Sequence, residues 1–109
     1  MKHWILVGQT PVEVDLMEWG RWFETHAHDR FVDLTAVGGY SVSTVFLGID
    51  NALGPMALFD HPDHVPELFE TMIFGHGDHV GFTRRWRSYL EARHGHKQVV
   101  LALAAGRAP

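Results

Sequence analysis

Hydrophobic residues near the start of the chain follow a strand-like run and then a helical spacing. Residues 4–7 are apolar and end at Gly8, which predicts a first strand. Asp15, followed by Glu18, is typical of a helix N-cap with an acidic partner three residues later. The next large apolar residues recur at three- and four-residue steps and predict a helix over residues 16–27, with a core-facing stripe of Leu16, Trp19, Trp22, Phe23 and Ala27.

The middle of the chain contains two β-rich runs, residues 30–37 and 40–49, separated by Gly38-Gly39. A Gly-Gly pair at that place predicts a two-residue hairpin turn, because such turns need positive φ angles. Pairing about this turn places Val32 opposite Val45 and Phe31 opposite Phe46, on opposite faces of the hairpin. Either both faces are covered, or one apolar face binds a partner.

Residues 50–66 form the longest irregular stretch, which is a length often associated with function. Strands are then predicted over residues 67–75 and 80–87, joined by a turn at residues 76–79. The predicted register places Phe69 opposite Trp86 on one face. On the other face it places Glu70 opposite Arg85, as a cross-strand ion pair.

Ser88 and Glu91 form a capping box that opens a last helix. A helical stripe through this segment is predicted to contain Leu90, His94, Lys97, Val100 or Leu101, and Ala104, and residues 106–109 form a frayed tail. The element order is β-α-β-β-β-β-α, which predicts a single α+β domain over residues 1–109. Its mostly antiparallel sheet has four or five strands, with two helices on one face.

Two of the predicted strands carry specific motifs, Val-Ser-Thr-Val-Phe-Leu-Gly-Ile-Asp at residues 42–50 and Leu-Phe-Glu-Thr-Met-Ile-Phe-Gly at residues 68–75. They resemble a family of small uncharacterised bacteriophage and prophage proteins, and Gly95-His96 resembles a Gly-His pair in the last helix of that family. Asn51 stands where the family has His. The resemblance spans about residues 11–100; it implies an α+β fold and a phage or prophage source, and it supplies no activity, cofactor or site residue.

Composition excludes several classes of protein. Thirteen acidic residues against nine Lys and Arg give a net charge of -4, which argues against electrostatic nucleic-acid binding. The absence of cysteine excludes disulfides and thiolate chemistry. No apolar stretch is long enough to cross a membrane, and we expect a cytoplasmic protein, in the host cell if it is phage-encoded.

Nine histidines are the most unusual feature of the composition. His61, Asp63 and His64 form a His-x-Asp-His loop, whose residue types can ligate zinc or another divalent metal. A metal-binding module or metal-dependent hydrolase is therefore one functional alternative. We favour the interpretation that these histidines form a His-rich surface without a cofactor, because no helical metal-binding motif is present.

No catalytic constellation is evident, since no nucleophile elbow or phosphate loop is present. The leading hypothesis is a non-catalytic phage or prophage accessory protein that binds a protein partner. Its expected role is host takeover or anti-defence. Homodimerisation through a sheet face is an additional option. A small-ligand or nucleotide sponge, meaning a protein that binds and sequesters such a molecule, is a further alternative. The candidate residues for binding a ligand or partner are Glu70, Arg85, Arg87, Phe46 and Asp50.

Overall fold

The computed structural model describes residues 1–50 and 64–109. Within them the chain forms β1 (His3–Val7), β2 (Thr10–Val14), α1 (Leu16–Thr25), a short 3-10 turn (His28–Arg30), β3 (Phe31–Val37), β4 (Tyr40–Phe46), β5 (Phe69–Gly75), β6 (Thr83–Trp86) and α2 (Tyr89–Ala104). β1 and β2 form a two-stranded hairpin, and β3-β4-β5-β6 form a four-stranded sheet in that order. All pairings are antiparallel, which confirms the predicted α+β class.

The register of the large sheet confirms one predicted pairing and corrects another. Phe69 lies opposite Trp86 and Glu70 opposite Arg85, as predicted. In the β3–β4 hairpin the register shifts between Phe31 and Asp33, so Phe31 lies opposite Val45. The predicted pairings of Val32 with Val45 and of Phe31 with Phe46 are therefore both wrong. A bulge adds one residue to one strand and exchanges the faces beyond it. Phe31 and Phe46 therefore lie on opposite faces of the sheet.

Strand β2 was not predicted, because Thr10 and Pro11 look like a break in the apolar run. Its partner β1 is tied to the larger sheet by the Trp4 N–H, which donates to the carbonyl oxygen of Gly48 at 2.9 Å. Pro11 is tolerated because β2 pairs only with β1 among the described strands, and its other edge needs no ladder donor. The N-terminal hairpin thus extends the molecule beyond the sheet instead of adding a central strand.

Both helices begin at the predicted caps and pack on the same face of the sheet. Asp15 accepts a hydrogen bond from Glu18 N–H, and Ser88 accepts one from Glu91 N–H. The α1 rings of Trp22 and Phe23 contact Phe46. This face contains the main core, formed by Leu6, Trp22, Phe46, Leu68, Phe69, Trp86 and Ala92.

The predicted stripe of α2 is wrong. Leu90 is 77% exposed, and the residues that α2 buries are Ala92, Gly95, His96, Val99 and Ala102. Most of these are small, which lets the helix lie close to the sheet, and the long side chains face outward. We call the helix-covered surface of the four-stranded sheet its inner face and the opposite surface its outer face.

Candidate functional site

The inner face contains a buried polar chain that crosses the sheet beneath α2. The indole N–H of Trp86 donates to Thr71 Oγ1 at 2.9 Å, and the hydroxyls of Thr71 and Thr44 lie 2.6 Å apart. His96 extends down from α2, with Nδ1 2.7 Å from Thr44 Oγ1 and Nε2 2.9 Å from Thr35 Oγ1. Thr44, Thr71 and His96 are at most 1% exposed. The chain therefore satisfies groups that would be costly to bury alone.

The donors and acceptors along this buried polar chain are assigned from its two ends, Trp86 and His96. An indole only donates, so the order that gives each proton an acceptor runs from Trp86 through Thr71 and Thr44 to Nδ1 of His96. The ring then carries its proton on Nε2, which faces Thr35 and lies 3.7 Å from a carboxylate oxygen of Asp33. Burial lowers the pKa of His96, while the nearby Asp33 carboxylate opposes that shift. His96 is thus a neutral, structural histidine.

Asp50, one of the predicted binding residues, is buried and contacts residues that follow position 63. One of its carboxylate oxygens bonds Nε2 of His64, and the other accepts the Glu67 N–H at 3.2 Å. The contacts join residues that flank positions 51–63. His61 and Asp63 lie outside the described residues, so the metal-binding alternative stays a prediction. Within residues 1–50 and 64–109, three side chains able to ligate a metal are nowhere grouped together.

The outer face of the sheet is not covered by either helix, and six of the eleven residues that the register places on it are apolar. Register partners place its side chains in three rows across the strands: Phe31, Val45, Glu70 and Arg85; Leu34, Ser43, Met72 and Thr83; and Ala36, Ser41 and Phe74. Phe31 is 50% exposed, Leu34 62% and Phe74 49%. These three side chains therefore present apolar surface to the solvent on the face opposite the helices.

Charge on the outer face is confined to one corner and neutralised there. Arg85 Nε lies 3.1 Å from Glu70 Oε2, so the predicted cross-strand ion pair is confirmed. Both groups were candidate ligand-binding residues, and the structure shows them engaged with each other. The outer face therefore has no net charge, although the whole chain has a net charge of -4.

A depression of about 530 Å³ lies along β6, the edge strand of the sheet. It is lined by Glu67, Thr83, Arg84, Arg85, Trp86, Arg87 and Glu91. The guanidinium of Arg84 lies over the Trp86 ring, 4.8 Å from its centroid. Arg87, another of the predicted binding residues, lines this depression together with Arg85.

Phe46 is not available to a partner in this structure. It has no exposed surface and contacts the rings of Trp22 and Phe69. The prediction that Phe46 binds a partner is therefore wrong. Side chains alternate along β4, so Phe46 lies on the inner face together with Val42 and Thr44. Sequence reasoning correctly predicted that the hairpin is apolar on both faces, and it singled out Phe31. It did not single out Leu34 or Phe74, whose outward alternation with buried neighbours was the available signal.

Comparisons with known proteins do not extend this picture. No family model, no curated protein and no solved structure matches the chain. Among the described residues, the helices are too short or too polar to span a membrane.

Proposed function

We propose that this protein is a non-catalytic binding protein that docks on another protein through the outer face of its four-stranded sheet. The observation that supports this proposal most strongly is the exposure of Phe31, Leu34 and Phe74 on the same face of the sheet. Several exposed apolar side chains grouped on one face of a sheet are typical of an interaction site.

The size of the outer face fits the apolar centre of an interface. Three strands of seven residues and one of four, about 4.8 Å apart and rising about 3.4 Å per residue, cover about 400 Å². A standard interface takes about 800 Å² from each partner, with an apolar core and a polar rim. The partner therefore covers the face and reaches the polar residues around it, including the Glu70–Arg85 pair at its corner.

The kind of partner follows from charge and chemistry. A face without net charge gives no electrostatic attraction to the phosphates of a nucleic acid. A protein surface with its own apolar patch is the complementary partner. The resemblance of the strand motifs to phage and prophage proteins supports an accessory role, in which the bound protein belongs to the bacterial host and the complex serves takeover or anti-defence.

The proposal is tested by comparing two charged substitutions during affinity capture from a bacterial lysate. Leu34→Asp places a charge on the β3 side of the outer face, where Leu34 is 62% exposed, and Leu101→Asp places one on α2, where Leu101 is 58% exposed. We expect the wild type and Leu101→Asp to retain the same bound protein and Leu34→Asp to lose it. Equal capture by both variants, or a bound species that is only a second copy of this chain, contradicts the proposal.

A further inference from the structure

The two edges of the four-stranded sheet differ in how their backbone groups are satisfied. At the β3 edge, the Leu34 N–H donates to the side-chain Oδ1 of Asp33 at 2.8 Å. The backbone of Leu34 points away from β4, since hydrogen-bonded pairs alternate along an antiparallel ladder. The Asp33 side chain therefore accepts the hydrogen bond from a backbone N–H that an added strand would need. Such self-satisfied edges resist pairing with other chains.

At the β6 edge, no side chain of residues 1–50 or 64–109 blocks the central backbone groups in this way. Ile73 N–H donates to the carbonyl of Phe82 at 3.1 Å, so alternation turns the backbone of Arg84 toward β5. The backbone groups of Thr83 and Arg85 consequently point away from the sheet. At the end of the strand, the Arg87 N–H is already bonded to Glu91 Oε1 at 3.2 Å. The open stretch is therefore short and lies between the bulge at Gly81 and the start of α2.

Positive charge is concentrated on this stretch. Three of the nine Lys and Arg residues of the chain are Arg84, Arg85 and Arg87. Arg85 is paired with Glu70, whereas Arg84 and Arg87 have no carboxylate within 4.0 Å among residues 1–50 and 64–109. Arg84 is held by its contact with the Trp86 ring, and Trp86 is itself fixed by Thr71. A guanidinium held in this way is pre-organised for an anion, because less side-chain entropy is lost on binding.

We propose that the β6 edge binds an extended, acidic segment of another protein as an added strand. The outward backbone groups of Thr83 and Arg85 would supply the ladder hydrogen bonds, which give affinity without sequence preference. Successive side chains of the added strand alternate between the two faces of the sheet. Acidic residues would therefore meet Arg84 on the inner face and Arg87 just beyond the end of β6, within the depression beside the strand. Charge complementarity selects an acidic segment over a neutral one.

The proposal is tested with a fluorescein-labelled hexapeptide, Glu-Val-Glu-Glu-Val-Glu, by fluorescence anisotropy at low salt. A second peptide has the same sequence with an N-methylated backbone, so it keeps the charge and loses the strand hydrogen bonds. Inorganic phosphate serves as a competitor that has charge only. ¹⁵N NMR spectra verify that each protein variant is folded and show which amides respond to the peptide.

Two matched pairs of variants separate backbone pairing from charge. Thr83→Pro removes one outward N–H, and Thr83→Ala keeps it; we expect binding about fivefold weaker for the proline variant, the effect of one hydrogen bond. Arg84→Glu reverses a charge at the edge, and Arg93→Glu reverses one on the exposed surface of α2. We expect at least about tenfold weaker binding for Arg84→Glu than for Arg93→Glu, since a close charge pair is replaced by repulsion.

These outcomes decide the proposal independently of the outer face. Binding that requires a free peptide backbone and Arg84, with amide shifts at Thr83 and Arg85, supports strand addition. No binding of the acidic peptide overturns it. Equal binding of the N-methylated peptide, or full displacement by phosphate with no difference between the Thr83 variants, also overturns it, because the site would then be an anion site without strand pairing.

Discussion

Two glycine-to-alanine substitutions in the two helices should change stability in opposite directions. Alanine is favoured over glycine inside a helix by about 1 kcal/mol, so both changes gain helix propensity. At Gly20 in α1 an added Cβ meets no atom within 4 Å. Gly20→Ala should therefore raise the free energy of unfolding by about 0.5 to 1 kcal/mol.

At Gly95 in α2 the same methyl group meets the indole of Trp86. An ideal Cβ would lie 2.3 Å from both Cη2 and Cζ2 of that ring, far inside van der Waals contact. The ring is mostly buried and donates a hydrogen bond to Thr71, so it cannot move aside without losing that bond. Overpacking costs about 1 to 3 kcal/mol, and an unsatisfied buried donor costs about another 1 to 3 kcal/mol. After the propensity gain of about 1 kcal/mol, Gly95→Ala should lower the free energy of unfolding by about 1 to 5 kcal/mol.

The assay is urea unfolding followed by far-ultraviolet circular dichroism, which does not depend on the fluorescence of Trp86. The Trp86→Leu background provides a control, since it removes the ring atoms that the new methyl contacts. In that background the penalty of Gly95→Ala should shrink by at least about 1 kcal/mol, the coupling typical of residues in contact. A Gly95→Ala protein as stable as the wild type would refute the close packing of α2 on Trp86.

Two further predictions concern the buried polar chain. Because burial lowers the pKa of His96 below its ordinary value of 6.5, the unfolded chain takes up a proton that the folded protein does not as the pH falls below 6.5. Stability should be greatest above that pH and decrease by up to about 1.4 kcal/mol per pH unit below it, until the lowered pKa is reached. Asp33→Asn should extend this loss of stability to lower pH, because it removes the carboxylate that raises the pKa of His96. Urea unfolding at a series of pH values and NMR titration of His96 measure both effects. A wild-type stability that does not change between pH 7 and pH 5 would contradict the prediction. Thr44→Val should cost about 1 to 3 kcal/mol by leaving Nδ1 of His96 and the Thr71 hydroxyl without their partner, whereas Thr44→Ser, which keeps the hydroxyl, should cost less; equal losses in urea unfolding would show that the hydroxyl contributes nothing.

The elements of this fold that sequence reasoning found are those with local signals. The caps at Asp15 and Ser88 are formed by side chains three residues from the N–H that they accept. The pairing of Glu70 with Arg85 follows from strand alternation once both strands are recognised. Each of these predictions depends on residues that are near in sequence or on a regular period of two.

The features that were missed depend on tertiary contacts. The bulge between Phe31 and Asp33 has no clear sequence signature, and it moved Phe31 to the outer face. The buried surface of α2 consists of small residues around His96 because the helix packs closely on Trp86. A search for large apolar residues at helical spacing therefore chose the exposed side of the helix. The polar chain through Thr44 and Thr71 joins residues 27 positions apart, and only the completed sheet brings them together.

Site-specific photo-crosslinking tests the central claim, docking through the outer face, most directly. A photoreactive phenylalanine analogue is placed at Phe74 on the outer face, and in a matched protein at Leu101 on α2; both positions are about half exposed. Irradiation in a bacterial lysate should join the Phe74 protein to one other protein, and the Leu101 protein should give no such adduct. An adduct that forms equally from both positions, or one of twice the 12.4 kDa chain mass, would contradict the claim.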